Sequence, residues 1–217
     1  MQALRDGARR GRTVSVAREI WIIRHGETPG NAARIVQKPE VPLSERGRDQ
    51  AERLASRLRG AGIERILSSD LKRARMTAEA VRLTTRAPLC LEPLLQERNF
   101  GDIRGTPYEE LGDRNIFAHD YEPPGGESGP VFDARVDRAW ASICSHAGEV
   151  EGRLSVVTHG LVCASLAERH LRCDGELPTG GWGNTSVTIV EGAPPWRLVR
   201  VNCTRHLDDR ADGGGRV

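Results

Sequence analysis

The chain lacks a CxxC pair, an HExxH segment, a GxxxxGK[ST] loop and a strand-linked GxGxxG. Those gaps exclude the common zinc sites, zinc proteases, P-loop nucleotide enzymes and dinucleotide-binding folds as first readings. No apolar run approaches the length of a bilayer span, and the first residues contain no h-region, so a cytoplasmic protein with no membrane partner is expected. The five cysteines, Cys90, Cys144, Cys163, Cys173 and Cys203, are an odd set and read as reduced thiols. Net charge is only +2 with acids and bases intermixed, which removes any global drive toward nucleic acid. Lysine is nearly missing: Lys38 and Lys72 stand alone among 32 basic residues. Genomic composition accounts for most of the arginine, yet a planar five-donor fork also suits oxyanions.

What is present fits one large α/β domain, since 217 residues bury a core that needs neither disulfide nor metal. Ile20, Trp21, Ile22 and Ile23 form an apolar run that ends abruptly in Arg24-His25-Gly26, and residues 154–157 repeat the pattern before Thr158-His159-Gly160. Each reads as a buried strand with an imidazole at its carboxyl end, where open α/β sheets place their chemistry. The two histidines can meet only if these strands are neighbours in one sheet, and that topology is expected.

Residues 1–18 carry five arginines without an apolar stripe and read as a disordered basic leader, ahead of a single domain over 19–203 and a polar tail over 204–217. Thr28-Pro29-Gly30-Asn31 is turn chemistry. Ser44 is positioned to cap a helix with Ala51, Leu54 and Leu58 on its buried face, ended by Gly60 and Gly62. A strand over 63–68 follows, then a helix opened by Ser69 and Asp70 with Arg73 in its first turn. Residues 88–97 read as extended, ending in Glu97. The Gly- and Pro-rich stretch 102–129 reads as a lid or substrate insertion. Helices over 131–143 and 161–171, and two antiparallel strands over 186–190 and 196–201 at one sheet edge, complete the expectation.

His25 is a candidate nucleophile toward phosphorus, provided that it is neutral and aimed by a hydrogen bond on its other nitrogen. Taken alone it is as readily a structural histidine. Arg24 and Arg73 can bring guanidinium forks to a phosphoryl group, although Arg73 alone also reads as an ordinary solvated helix residue. His159 can donate to a phosphoryl oxygen, and Glu97 can protonate a leaving alkoxide and then activate water. A zinc site built from these groups is disfavoured, because two or three arginines would repel a cation.

The ordered motifs Arg24-His25-Gly26-Glu27-Thr28, Asn31, Pro42-Leu43-Ser44-Glu45-Arg46-Gly47, Ser69-Asp70-Leu71-Lys72-Arg73-Ala74 with Thr77-Ala78, Glu97-Arg98 before Phe100-Gly101, and Thr158-His159-Gly160 resemble the histidine phosphatase superfamily, the phosphoglycerate mutase-like clan. The resemblance implies a three-layer α/β/α fold with a mostly parallel central sheet. It implies a phosphohistidine at His25, a phosphate pocket of Arg24, Arg73 and His159 assisted by Asn31, and Glu97 as proton donor and later base. No metal or organic cofactor is implied. Glu27, Thr28 and Gln37 are expected beside the substrate, with Lys38 at the pocket rim and Glu127 and Ser128 bordering it. Lys38 and Ala164 depart from residues common in the family, where a small residue and an arginine respectively are usual. Asn99 and the short insertion are unlike the mutases. A metal-independent phosphomonoesterase acting on a small phosphorylated metabolite, as monomer or homodimer, is therefore expected. Alternatives are a phosphoglycerate mutase, a phosphoprotein phosphatase and a phosphate-binding interaction module.

Overall fold

The structure, a computed structural model, describes residues 19–192 and 194–208. The expectations for the leader over 1–18 and for residues 209–217 lie outside the described residues. In β1 (Glu19–Arg24) the four apolar residues between the ends are all buried, as are five in succession in β4 (Arg153–Thr158). Near-continuous burial is the mark of a strand covered on both faces. With β2 (Ile63–Ser68), β3 (Leu89–Leu91), β5 (Val187–Glu191) and β6 (Arg197–Cys203) they form one six-stranded sheet in the order β3-β2-β4-β1-β5-β6. The first four in that order are parallel, and β5 and β6 add antiparallel strands at one edge.

The remaining elements are α1 (Pro29–Ala32), α2 (Glu45–Leu58), α3 (Lys72–Thr85), α4 (Gly129–Ala147) and α5 (Gly160–His170). On one face of the sheet, Leu54 and Leu58 of α2 and Ala74, Ala78 and Val81 of α3 pack on Ile23, Ile66 and Val157. On the other, Val136, Ala139 and Ile143 of α4 and Val162 and Leu166 of α5 pack on Ile20, Ile22, Leu154 and Val156. This is the expected three-layer α/β/α arrangement. Each fully buried leucine contributes about 1.5–3 kcal/mol relative to exposure, so the two faces hold the sheet firmly enough to serve as a platform.

Several element boundaries differ from the sequence reading for local reasons. Thr28-Asn31 is a capping box that nucleates the short α1, not a bare turn. Only Leu89–Leu91 of 88–97 is extended, because Glu92 accepts from Leu94 N and Pro93 starts a 3-10 turn at Pro93–Leu95. Helix α3 begins at Lys72 rather than at Ser69, whose hydroxyl accepts from Leu71 N. Helix α4 runs longer than 131–143 at both ends, with proline at its start.

The stretch 102–129 contains no strand or α-helix except the first residue of α4, Gly129, and packs its own small core of Val36, Phe100 and Ile116. One side chain reinforces the backbone hydrogen bonds of its turns. Arg98, 4% exposed, donates to the carbonyls of Glu127 (3.0 Å), Ala118 (3.2 Å) and Tyr121. The insertion is thus tied directly to the residue after Glu97.

Candidate active site

The register of β1 against β4 pairs Arg24 with Thr158, so His25 and His159 are each the first residue past paired strand ends. Parallel neighbours lie about 4.8 Å apart. The two imidazole centroids are 5.0 Å apart, as that spacing requires. His25 N donates to Thr158 O at 2.9 Å, and Asn184 Nδ2 donates to His25 O at 3.1 Å, which locks the backbone of the bend.

His25 Nδ1 lies 2.6 Å from Gly26 O, a contact that only a protonated Nδ1 can make, leaving the Nε2 lone pair free. Burial, with the Arg73 and Arg24 charges adding to it, holds the His25 pKa well below its ordinary value, and the Gly26 hydrogen bond only partly opposes this. The ring is therefore neutral. His159 is fully buried and likewise depressed, by burial first and then by Arg73, His25 and Arg24. Its Nε2 lies 2.9 Å from Ser69 Oγ. That hydroxyl accepts from Leu71 N and can give its own proton to Nε2; in that tautomer His159 Nδ1 is a donor, and it is buried without a partner.

Arg24 donates to Trp182 O and Arg73 to Lys38 O (3.2 Å), but the Nε of each is buried and unpartnered. Burial lowers both pKa values, with Glu97 opposing, and Arg73 falls to about 10, so both remain cations at neutral pH. Glu97 takes Arg98 N at 3.0 Å and Leu161 N at 3.3 Å. Arg135 donates to the carbonyls of Leu94, Gln96 and Glu97, and so steadies the segment that carries this carboxyl group.

The glycines explain how two distant motifs touch. A Cβ on Gly26 would meet Gly47 O at 2.6 Å, and one on Gly47 would meet Glu27 O at 2.0 Å. The His25 loop and the start of α2 are in backbone contact, closed by Ser44 N donating to Glu27 O (2.9 Å) and Glu27 N donating to Gln50 Oε1 (2.8 Å).

A cavity of about 510 Å³ opens above His25, and Arg24, Asn31, Gln37, Arg73 and Glu97 are on its wall. His159 lies beneath, against the His25 ring. The other expected substrate contacts lie off this wall. Glu27 turns its carboxylate to Ser44 and Arg46. Thr28 is buried, accepting from Asn31 N and donating to Gln37 Oε1 at 2.8 Å. Lys38 sends its side chain over Gly105 and contributes only its carbonyl, to Arg73. Glu127 is clamped by Arg135 through both oxygens at 2.7 Å, and Ser128 stands at the N-cap of α4. For Glu27, Thr28 and Glu127, nearer partners claim the side chain before it can face the cavity.

Residues the sequence reading passed over complete the site. Tyr108, Phe117, Leu161 and Trp182 line the cavity beside Arg104, an insertion arginine that the sequence does offer, and Asn184 reaches both His25 O and Asn31 Oδ1 (3.3 Å). Asn184 was detectable in principle, because a strand antiparallel to β1 must begin beside the end of β1. Among the described residues no cluster of His, Cys, Asp and Glu is arranged to hold a metal. Burial pushes the Cys163 thiol up, so this cysteine below the cavity stays protonated.

The family model of the histidine phosphatase superfamily (branch 1) matches residues 20–204. The metal-independent phosphoserine phosphatase of Arabidopsis thaliana is 37% identical over 187 residues, 79% of this chain and 75% of that one. Phosphoglycerate mutase-like protein 4 of the same plant is 37% identical over 166 residues, 70% of each chain. The solved structure of a mycobacterial glucosyl-3-phosphoglycerate phosphatase complexed with VO3 superposes with a TM-score of 0.74 at 29% identity, covering 86% of this chain and all of the other. On its motifs, its sheet order and these similarities, the chain belongs to the histidine phosphatase superfamily, branch 1, and is a phosphoric monoester hydrolase with a phosphoglycerate mutase-like fold.

Proposed function

We propose that this protein hydrolyses a small phosphorylated metabolite without a metal, through a phosphohistidine on His25. The observation that carries the reading is the set of three buried, unpartnered donors around a neutral His25: Arg24 Nε, Arg73 Nε and His159 Nδ1. Leaving a buried donor unpaired costs about 1–3 kcal/mol, more when it is charged. A tetrahedral oxyanion with three equatorial oxygens satisfies all three donors at once.

In the first half-reaction His25 Nε2 forms a bond to phosphorus as the ester P–O bond breaks, and Glu97, protonated, gives its proton to the departing alkoxide. Nδ1–H stays on Gly26 O throughout. Arg24, Arg73, His159 and Asn31 hold the equatorial oxygens while charge shifts. In the second, Glu97 as carboxylate takes a proton from water, the water oxygen bonds to phosphorus, and the P–N bond breaks to release inorganic phosphate and regenerate both groups.

Phosphate release from a broad phosphoester panel in EDTA, with wild type beside His25→Ala, tests this reading. Selective release that vanishes in His25→Ala is expected. Release that survives the substitution, or that EDTA abolishes, would refute it. A phosphoglycerate mutase is the competing reading, favoured by relatives that carry that name, such as the probable phosphoglycerate mutase GpmB of Escherichia fergusonii at 34% identity. Interconversion of phosphoglycerate isomers stimulated by 2,3-bisphosphoglycerate would move the assignment there.

A further inference from the structure

The main chain of the nucleophile is held from a part of the molecule that the chemistry itself does not use. After β6 the chain makes a 3-10 turn, Arg205–Leu207, in which half-buried His206 stands between two polar contacts. Arg57 Nη1 of α2 lies 3.1 Å from its Nδ1, and Thr185 Oγ1 lies 3.0 Å from its Nε2. A guanidinium only donates, so Nδ1 is the acceptor and Nε2 carries the proton. Nε2–H therefore donates to Thr185 Oγ1, and the Thr185 hydroxyl donates in turn to Asn184 O at 2.8 Å. Burial, then the Arg57 and Arg53 charges, hold the His206 pKa down to about 4, so the ring is neutral and the direction of donation is fixed near neutral pH.

Thr185 needs such a hold. It is fully buried with a φ of 53°, a left-handed backbone that strains a β-branched residue and persists only where the surroundings over-determine it. In that conformation residues 184 and 185 both reach the nucleophile: Thr185 N donates to His25 O at 3.3 Å, and Asn184 Nδ2 donates to the same oxygen at 3.1 Å. The N–H of that peptide, Gly26 N, donates to Thr77 Oγ1 at 3.1 Å. The peptide is thus fixed at both poles, next to the Gly26 O that orients the imidazole. Asn184 Nδ2 also lies 3.3 Å from Asn31 Oδ1, which accepts from Thr28 N at 3.2 Å. With its oxygen occupied, Asn31 has its amide N–H groups left for an anion in the cavity that it lines.

We propose that His206 is a positioning residue for phosphoryl transfer: through Thr185 it sets Asn184, and through these two it sets the His25 carbonyl and the Asn31 amide. It touches neither substrate nor reacting atoms. Its role rests on the phosphatase reading, in which His25 is the nucleophile and must be held within a fraction of an ångström of its line of attack.

The test uses p-nitrophenyl phosphate, whose leaving group departs without a proton, so that the result does not depend on Glu97. His206→Phe keeps the ring and removes both hydrogen bonds. Its kcat/KM is expected to fall ~10- to 100-fold, while the inhibition constant of inorganic phosphate stays within about threefold of wild type, because Arg24, Arg73 and His159 still hold the anion. His206→Gln, whose amide restores a donor to Thr185, is expected to recover most of the loss. The double variant His206→Phe/Asn184→Ala is expected to be no slower than Asn184→Ala to within about twofold, since both act through one contact. Folded His206→Phe with wild-type kcat/KM, a glutamine variant no faster than the phenylalanine one, or losses that multiply in the double variant would overturn the proposal. The His25 Nδ1–H resonance, identified in 15N-histidine-labelled protein by its loss in His25→Ala, gives a reading without turnover. It should shift and exchange faster with water in His206→Phe and in Asn184→Ala, and less in His206→Gln, which serves alone if the phenylalanine variant does not fold. An unchanged resonance refutes the positioning role, whereas wild type that releases no phosphate refutes the phosphatase reading and leaves the resonance to decide how His25 is held.

Discussion

Replacing Thr77 by valine tests how the nucleophile is held. Thr77 is fully buried on α3, one turn after Arg73; its hydroxyl donates to Arg73 O at 2.9 Å and accepts from Gly26 N at 3.1 Å. Valine matches its shape, so no cavity opens, and Arg73 O keeps its intrahelical partner. The loss falls on Gly26 N–H, which becomes a buried donor without an acceptor, at about 1–3 kcal/mol. For a chain of this size each kcal/mol lowers Tm by about 2–4 °C, so a drop of roughly 2–12 °C is expected. The same peptide carries Gly26 O, which holds His25 Nδ1, and a shift of about an ångström at a reacting group costs on the order of a hundredfold. Urea denaturation followed by circular dichroism reads the first effect, and rapid-quench measurement of phosphoenzyme formation reads the second. Thr77→Ser, which keeps the hydroxyl, should recover the phosphorylation rate while still losing some stability. Wild-type stability together with a wild-type phosphorylation rate in Thr77→Val would refute the account of how His25 is aimed.

Stability should fall as pH drops below about 6.5. Burial holds the folded pKa values of His25 and His159 well below the unfolded value, and His206 is held down to about 4 by burial and by Arg57 and Arg53. The unfolded chain then binds more protons than the folded one, so the stabilisation is complete above about 6.5 and is lost as pH falls toward the folded values. Urea midpoints from pH 7.5 to 4.5 should decline, less steeply in His206→Gln; a flat profile would contradict the assignment. Gly47→Ala places a Cβ 2.0 Å from Glu27 O, a backbone atom with no room to move, and should cost at least the ~1–3 kcal/mol of an overpacked core, seen as a lowered Tm or loss of soluble protein. Glu97→Gln should slow substrates with poor leaving groups more than aryl phosphates, since only the former need the proton; equal slowing across leaving groups would remove Glu97 from that role.

Much of the platform was legible because it follows from local chain chemistry. Two apolar runs ending in His-Gly read as central strands, and since both histidines need one pocket, their adjacency in the sheet followed before any contact was known; β1 and β4 are those neighbours. The buried face of α2 followed from residue periodicity, and the phosphoryl end from residue types suited to an oxyanion, Arg24, His25 and Arg73, together with Glu97. Tertiary structure decided what the irregular segments do. Nothing in the order of residues shows that Glu127 faces Arg135 instead of the cavity, that Lys38 contributes a carbonyl in place of its ammonium group, or that Arg98 is spent on ordering the insertion. Periodic elements repeat a geometry that sequence spacing encodes, whereas a side chain in a turn or loop points where the backbone path and distant competing partners send it, and those partners come together only when the chain has folded.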